Sequence, residues 1–392
     1  MIFNNVRKLE EITIQERERW IYIADFNIAH EGNTIINPNR IDVELEDLKQ
    51  LCEFGGRIAI LAHKGRFKDN DTEPLDFVVG YLSKKLDTTV TYFPENNTLE
   101  AINYTKDLDI GEIAIMGNTR FHEGEEKNDS KLAKQFAKLG DRVAVGGFGK
   151  AHREHASNVG ILNYIPGYAT RSQLKEMRVL TPWAELQENR YSLAVLGGVK
   201  KEKITIGLTG FSQTYDSIIP GGIVLNTLLK VHGYPIGNSI IKDGGKSFEI
   251  DVIKTLEQTT AKIYIPQTVV IAQLKEGIFY DVKEINISKG VPEGYMVVDY
   301  IMPQEAIESL DRIVRENGRI VLAGTPSVYK KGFKQSTEEV LKRMELVKDN
   351  SIVLGDDTKT EVKFSGKSST GGGSALYFVA NGTTPVLEAL KI

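Results

Sequence analysis

Short apolar runs alternate with segments of helical period, and this alternation limits the chain to few folds. Trp20–Ala24, Arg57–Ala62, Ile113–Met116 and Arg142–Val145 read as buried strands. Between them Leu45, Leu48, Leu51 and Cys52 recur at helical spacing, as do Leu75, Val78, Val79, Leu82 and Leu86, then Leu132, Phe136 and Leu139. Strands that alternate with helices pair in parallel, and their sheet is covered on both faces. The pattern restarts after Asn189. Leu193–Leu196, Lys262–Ile265, Arg319–Leu322 and Ser351–Leu354 read as strands, and Val224–Val231, Gln304–Val314 and Thr337–Val347 as helices. At 392 residues the chain exceeds one ordinary core. The expected fold class is therefore α/β, with two doubly wound parallel sheets, an N-terminal domain over 1–180 and a C-terminal domain over 190–380.

The boundary falls near Ala169–Asn189, a helix-forming stretch that would act as a hinge. Thr181-Pro182 within it suits an N-cap followed by proline at the first helical position, so a break or a second helix start is expected there. Two such domains would leave a cleft at the carboxyl ends of their strands, where ligands bind in open α/β sheets. Forty-nine basic and 53 acidic residues leave a net charge of −4, with no electrostatic reason to expect nucleic acid or an anionic membrane. The single cysteine, Cys52, allows no intramolecular disulfide and fits a reducing cytoplasm. Met1–Glu18 is charged throughout, unlike a signal peptide, and no apolar run approaches a membrane span.

Polar and cationic residues follow successive strands of the first half. Asp25-Phe26-Asn27 ends the first strand, and Arg40 follows in Asn37-Pro38-Asn39-Arg40. His63-Lys64-Gly65-Arg66 ends the second, Arg120 follows the Ile113 run, and Arg153 follows Val145. Loops after parallel strands converge on one edge, so these side chains would line an anion-binding basin. Guanidinium groups grip carboxylate or phosphate with two parallel bonds. His152 and His155, three apart, could share a helix face, but no third ligand stands at usable spacing for a metal site. Cys52 lies on an apolar helix face and reads as core.

The second half is glycine-rich where strands end. Gly197-Gly198-Val199-Lys200-Lys201-Glu202-Lys203 offers backbone amides with lysines. Ser369-Thr370-Gly371-Gly372-Gly373 leads into a short helical run and would present N–H groups and a positive dipole end to phosphate. Asp357, after the strand ending at Leu354, could hold Mg²⁺ among phosphate oxygens. No Walker A pattern is present.

In order along the chain, these segments resemble phosphoglycerate kinase from about Trp20 to Phe378. The resemblance implies two Rossmann-like domains that close as a hinge, the acid on the first and Mg-nucleotide on the second, with the tail 381–392 packed back on the first. It also implies a monomer. Asp25, Asn27, Arg40, His63, Arg66, Arg120 and Arg153 match positions that hold 3-phosphoglycerate, with Arg40 at the carboxylate and transferring group. The family's Asn-Asp-Ala-Phe-Gly-Thr, however, reads Gly146-Gly147-Phe148-Gly149-Lys150, one residue shorter and with a new cation.

On the nucleotide side the resemblance implies roles for Lys200, Lys203, Gly221, Gly324, Lys330, Gly355, Asp357, Thr358, Gly371, Gly372 and Gly373. Of these, Lys200, Lys203 and Gly372 join Arg40 as catalytic residues, and Asp357 is the metal ligand. Lys203 stands one residue early against the family's second lysine. Lys330 replaces the glutamate that binds the ribose hydroxyls, and Ala323 replaces an asparagine.

Parts that stabilise charge at a moving phosphoryl group are kept, whereas base and ribose recognition has drifted. The expected function is phosphoryl transfer between Mg-ATP, or another nucleoside triphosphate, and the carboxylate of 3-phosphoglycerate or a related small phosphorylated or phosphonate acid. The alternative is an inactive binding or regulatory protein that keeps the acid site.

Overall fold

The computed structural model describes residues 5–184 and 190–392 and divides the chain into two compact units, 1–179 with 383–392, and 180–382. In the first, β1 (Arg19–Ile23), β2 (Arg57–Leu61), β3 (Val90–Phe93), β4 (Ile113–Met116), β5 (Arg142–Val145) and β6 (Gly167–Ala169) form one sheet in the order β3-β4-β2-β1-β5-β6. Every pairing is parallel, with Ile21 opposite Ala59 on one side and Val143 on the other. From Trp20 to Ile23 β1 is wholly buried, as expected of a central strand covered on both faces. The chain leaves β1 to one side and returns later on the other, so the strand order reverses there, and loops after the strands diverge to open a crevice.

The second unit repeats this plan. Among its strands are β7 (Ser192–Leu196), β8 (Ser217–Pro220), β9 (Lys262–Ile263), β10 (Thr268–Lys275), β11 (Ile278–Asn286), β12 (Tyr295–Tyr300), β13 (Arg319–Ala323), β14 (Ser351–Leu354) and β15 (Lys367–Ser369). Six of them form a parallel sheet ordered β9-β8-β7-β13-β14-β15, again with the first strand central. The parallel α/β expectation holds in both units. An antiparallel sheet ordered β11-β10-β12 was not anticipated.

Helices form where one apolar face meets the sheet. Gln304–Glu316 buries Ala306, Ser309, Leu310 and Ile313, one side of three turns, and stops at Asn317 in the left-handed region. The break expected at Thr181-Pro182 is absent. One helix runs Arg171–Ala184 with Pro182 inside it. Proline removes one hydrogen bond near the helix end, but Leu174, Met177, Leu180, Trp183 and Ala184 are all buried, and that packing outweighs the local cap signal. The rest of the expected boundary, 185–189, lies outside the described residues. At the tail, Thr384 caps the helix Pro385–Ala389 by accepting from the Leu387 N–H at 3.1 Å, and the Val386 N–H donates to the Ala151 carbonyl at 3.3 Å.

Candidate active site

Strand ends of the first unit are tied together through Asp25. Its Oδ1 accepts from the Asn27 N–H at 3.1 Å and lies 3.9 Å from His63 Nε2. Its Oδ2 accepts from Arg40 Nη1 at 3.2 Å, and the same nitrogen reaches the Asn27 carbonyl at 3.2 Å. Asn27 Oδ1 in turn accepts from the Gly65 N–H at 3.2 Å, joining the loops after β1 and β2. Arg120, after β4, is 1% exposed and donates from Nη1 to the Gly65 carbonyl at 2.5 Å. The structure thus brings Asp25, Asn27, Arg40 and Arg120 together through direct bonds, with His63 3.9 Å from Asp25. Arg66 is exposed, with a guanidinium 3.7 Å from Asp69, and Arg153 Nε lies 3.3 Å from His152 Nε2.

The field at this edge comes from fixed cations. Burial pushes the His63 imidazole well below its ordinary range, and Lys150, Arg120, Arg153 and His155 push it further. His152 and His155 are lowered to about 3, burial again being the larger cause. All three imidazoles are therefore neutral at pH 7, and the positive charge is carried by guanidinium groups and Lys150. The helix face expected for His152 and His155 does not exist: residues 151–153 form a turn and a bend, and 154–155 belong to no helix or strand. The run Ala151-His152-Arg153 packs by turns under the chain tail rather than by a helical stripe.

Three buried charges here escaped the sequence reading of the site. Glu44 accepts from the Tyr22 hydroxyl at 2.6 Å, the Gly147 N–H at 2.8 Å and the Ser172 hydroxyl at 2.7 Å. Burial pushes its carboxyl up to about 7 against those donors. Glu125 accepts from the Ser157 hydroxyl and N–H at 2.5 and 3.0 Å. Lys150 was read only as a new cation in a shortened loop. The two acids carried no signal, because their partners lie 103 and 32 residues away in sequence. Asn118, also missed, could have been noticed as a polar residue two before Arg120; its amide donates to the Lys64 carbonyl at 2.7 Å and its Oδ1 accepts from the Arg120 N–H at 2.9 Å.

The second unit's edge is built differently. The loops after β7, β8 and β13 cross backbone to backbone. The Gly221 N–H donates to the Leu196 carbonyl at 2.6 Å, Ile223 N–H to Gly198 at 2.8 Å, and Gly198 N–H to Thr325 at 3.2 Å. Gly324 has φ +91°, and a Cβ there would sit 2.2 Å from the Gly197 carbonyl oxygen. A Cβ on Gly221 would meet Pro326 Cα at 2.3 Å. Lys200 Nζ pairs with Asp357 Oδ2 at 2.9 Å, both side chains largely exposed, at 67% and 78%. That pairing holds the Asp357 carboxyl below its ordinary range, with Lys330 and Lys203 acting in the same direction.

Lys203 opens a π-helical stretch, Lys203–Leu208; burial and then Lys200 lower its ammonium to about 8. Gly355, φ +99°, precedes the helix Asp356–Glu361, whose Thr358 is buried. Gly371 precedes the helix Gly372–Asn381, and around Gly372, φ +53°, there is open space. The first N–H groups of such a helix point out of its end without partners in the helix. Lys200, Lys203, Lys330 and Asp357 are thus within one another's field, while Gly221 and Gly324 serve the backbone crossing and Thr358 packs inward. Among the described residues no group of three or more His, Cys, Asp or Glu is placed to hold a metal.

A family model for phosphoglycerate kinase matches residues 9–382. This places the chain in the class of phosphotransferases whose acceptor is a carboxyl group. The chain belongs to the phosphoglycerate kinase family. It is 31% identical to the phosphoglycerate kinase of Thermosipho africanus over 97% of this chain and 98% of that one. It is 30% identical to that of Moorella thermoacetica, over 97% and 99%. Among solved structures, the phosphoglycerate kinase of Coxiella burnetii superposes with a TM-score of 0.73 at 26% identity, covering 98% of each chain.

Proposed function

We propose that this protein moves a phosphoryl group between Mg-ATP and the carboxylate of 3-phosphoglycerate, or a related small phosphorylated or phosphonate acid, giving an acyl phosphate. In the forward step an acid carboxylate oxygen attacks the γ-phosphorus, the bond from that phosphorus to the β–γ bridging oxygen breaks, and the nucleoside diphosphate leaves. The observation that carries the reading is the convergence of Arg120, Lys150 and Arg153 on neutral His63 beside the Asp25–Arg40 pair.

A carboxylate nucleophile is already ionised at pH 7, so the step needs no general base. What it needs is positive charge to bring two anions together and to offset charge developing on the phosphoryl oxygens. Arg40 would meet the carboxylate and the transferring group. Asp25, Asn27, His63, Arg66, Arg120 and Arg153 would hold the rest of the acid. Lys200 and Lys203 would neutralise the nucleotide phosphates, with Gly371, Gly372 and Gly373 offering helix N–H groups.

The ionised, exposed Asp357 carboxylate fits Mg²⁺, a hard cation that takes oxygen ligands. When bound, Mg²⁺ supplies charge neutralisation at the phosphates. The loops at Gly221, Gly324, Lys330, Gly355 and Thr358 would flank the nucleotide. The first unit is read as the acid domain, the second as the nucleotide domain, and the enzyme as a cytoplasmic monomer. Among the described residues no helix is long and apolar enough to cross a membrane.

Hydroxylamine trapping of acyl phosphate tests the reading, with Mg²⁺, ATP or GTP, and 3-phosphoglycerate beside phosphonate and carboxylate analogues. Hydroxamate with 3-phosphoglycerate at an enzyme-like rate supports it, and hydroxamate with another acid alone narrows the acceptor. No product from any pair would overturn it. No observation favours the inactive alternative.

A further inference from the structure

The turn 146–150 departs from the family in a way that the structure makes specific. Two side chains present in the family's Asn-Asp-Ala-Phe-Gly-Thr are gone at Gly146 and Gly147, and charges from elsewhere take up the space. A Cβ on Gly146 would lie 2.4 Å from Glu44 Oε2. A Cβ on Gly147 would lie 3.3 Å from Lys150 Cε and 3.1 Å from the Asp25 nitrogen, and one on Gly149 would lie 2.9 Å from Asp25 Oδ2. The turn therefore wraps Asp25, and the Lys150 stem runs along its inner side.

Lys150 is 3% exposed, and its Nζ has no hydrogen-bond partner. The nearby carboxylates are already engaged. Glu125 accepts from Ser157 twice, and Asp25 accepts from Asn27 and Arg40. An ammonium has three donors and no acceptor, and a buried one without partners is costly. Its neighbour Arg120, 1% exposed, leaves Nε and Nη2 without a hydrogen bond, Nη2 lying 3.7 Å from Glu126 Oε1. Two adjacent buried cations with unused donors, at the edge where the acid is read to bind, form an anion site.

Resting on that acid-site reading, we infer that Lys150 is an anion ligand of this site, its ammonium binding the phosphate or phosphonate group of the acid beside Arg120 and Arg153. Because threonine stands there in the family motif, Lys150 is a specificity residue of this chain: it favours acids whose distal group is a full dianion.

Calorimetric titration of the full chain with 3-phosphoglycerate, without nucleotide, tests this against Lys150→Thr and Lys150→Met. At least tenfold weaker acid binding is expected, with Mg-ADP affinity unchanged and the ligand-free melting temperature equal or higher, because a buried unpaired charge has been removed. Acid affinity within threefold of the parent overturns the inference. So does a lower ligand-free melting temperature, which marks a lysine that only balances Glu125. Should both variants fail to fold, the side-chain ¹⁵N resonance of Lys150 in the unmodified chain decides: a shift on adding 3-phosphoglycerate supports the inference and a fixed resonance overturns it. A parent chain that ignores 3-phosphoglycerate would sink the acid reading itself. The same titration with inorganic sulfate then isolates Lys150: sulfate binding lost in Lys150→Thr supports it, while binding that is unaffected, or absent in the parent, overturns it.

Discussion

The two strand-end edges are built by opposite means. In the first unit the candidate site gathers buried side chains, Asp25, His63, Arg120 and Lys150, of which Asp25 is bonded to Arg40 and Arg120 to the Gly65 carbonyl. In the second the charged groups Lys200 and Asp357 stand in solvent, and what is buried is a crossing of glycine backbones. A buried charge bonded to a partner cannot be exchanged alone, since that partner is left uncompensated. An exposed one can change at little cost. On the proposed reading this is why exposed Lys330 could replace a glutamate while buried Asp25 and Arg120 match the family positions.

The sharpest way to break this contrast is Gly324→Ala. The residue has φ +91°, and its Cβ would press a backbone oxygen that belongs to another loop. Strain and overpacking together should cost about 4 kcal/mol or more. Urea melts should show the loss, together with loss of nucleotide protection. A variant of parental stability would mean that this edge is not built on backbone contact.

Lys200→Ala should behave in the reverse way. On the proposed reading it lowers turnover by about 10²–10³, roughly 3–4 kcal/mol in the barrier. Stability should shift by no more than about 0.5 kcal/mol, because its pair with Asp357 is solvent-exposed. Hydroxamate rates and melts on the same sample check both halves, and a large stability loss with modest loss of turnover would recast Lys200 as structural.

What the sequence showed of this arrangement follows the range of its signals. Central strands were legible because burial on both faces makes β1, β2 and β7 continuous apolar runs. Val90–Phe93 was missed as an edge strand with only its first residue buried. Ile278–Asn286 was missed because it is exposed over most of its length, with no alternating apolar face to read. Asp25, Arg40 and Arg120 could be picked out because each follows a strand. Glu44 could not: it reaches Gly147 only through the fold, and a carboxylate just before a helix ordinarily means solvent.

Glu44 gives the next test of the buried edge. Its carboxyl is raised from 4.5 to about 7 in the folded protein, so the fold keeps a proton that the unfolded chain releases. The stability tied to that proton is complete below about pH 4.5 and is lost as pH rises through about 7, on the order of 3 kcal/mol in all. Glu44→Gln should remove this component. Urea melts at pH 5 and pH 8 should therefore show a smaller drop in the variant than in the parent. Parallel drops would mean that Glu44 is ionised when buried, its three donors and Lys150 outweighing desolvation.

The smallest effect should come from Lys330→Glu, which puts back the carboxylate implied for ribose recognition. Lys330 is exposed in the turn Tyr329–Lys331, and its field reaches Asp357. A hydrogen bond from a ribose hydroxyl to a charged group contributes about 1.5 kcal/mol, so the KM for ATP should fall by up to about tenfold with kcat little changed. The variant also adds negative charge near a group that would hold Mg²⁺, which opposes part of that gain at low salt and less at high salt. A fall in KM that grows with ionic strength would show both effects at once. If KM stays constant and stability also stays constant, the ribose is held elsewhere in this chain, and Lys330 marks a change in what the site reads rather than a lost contact.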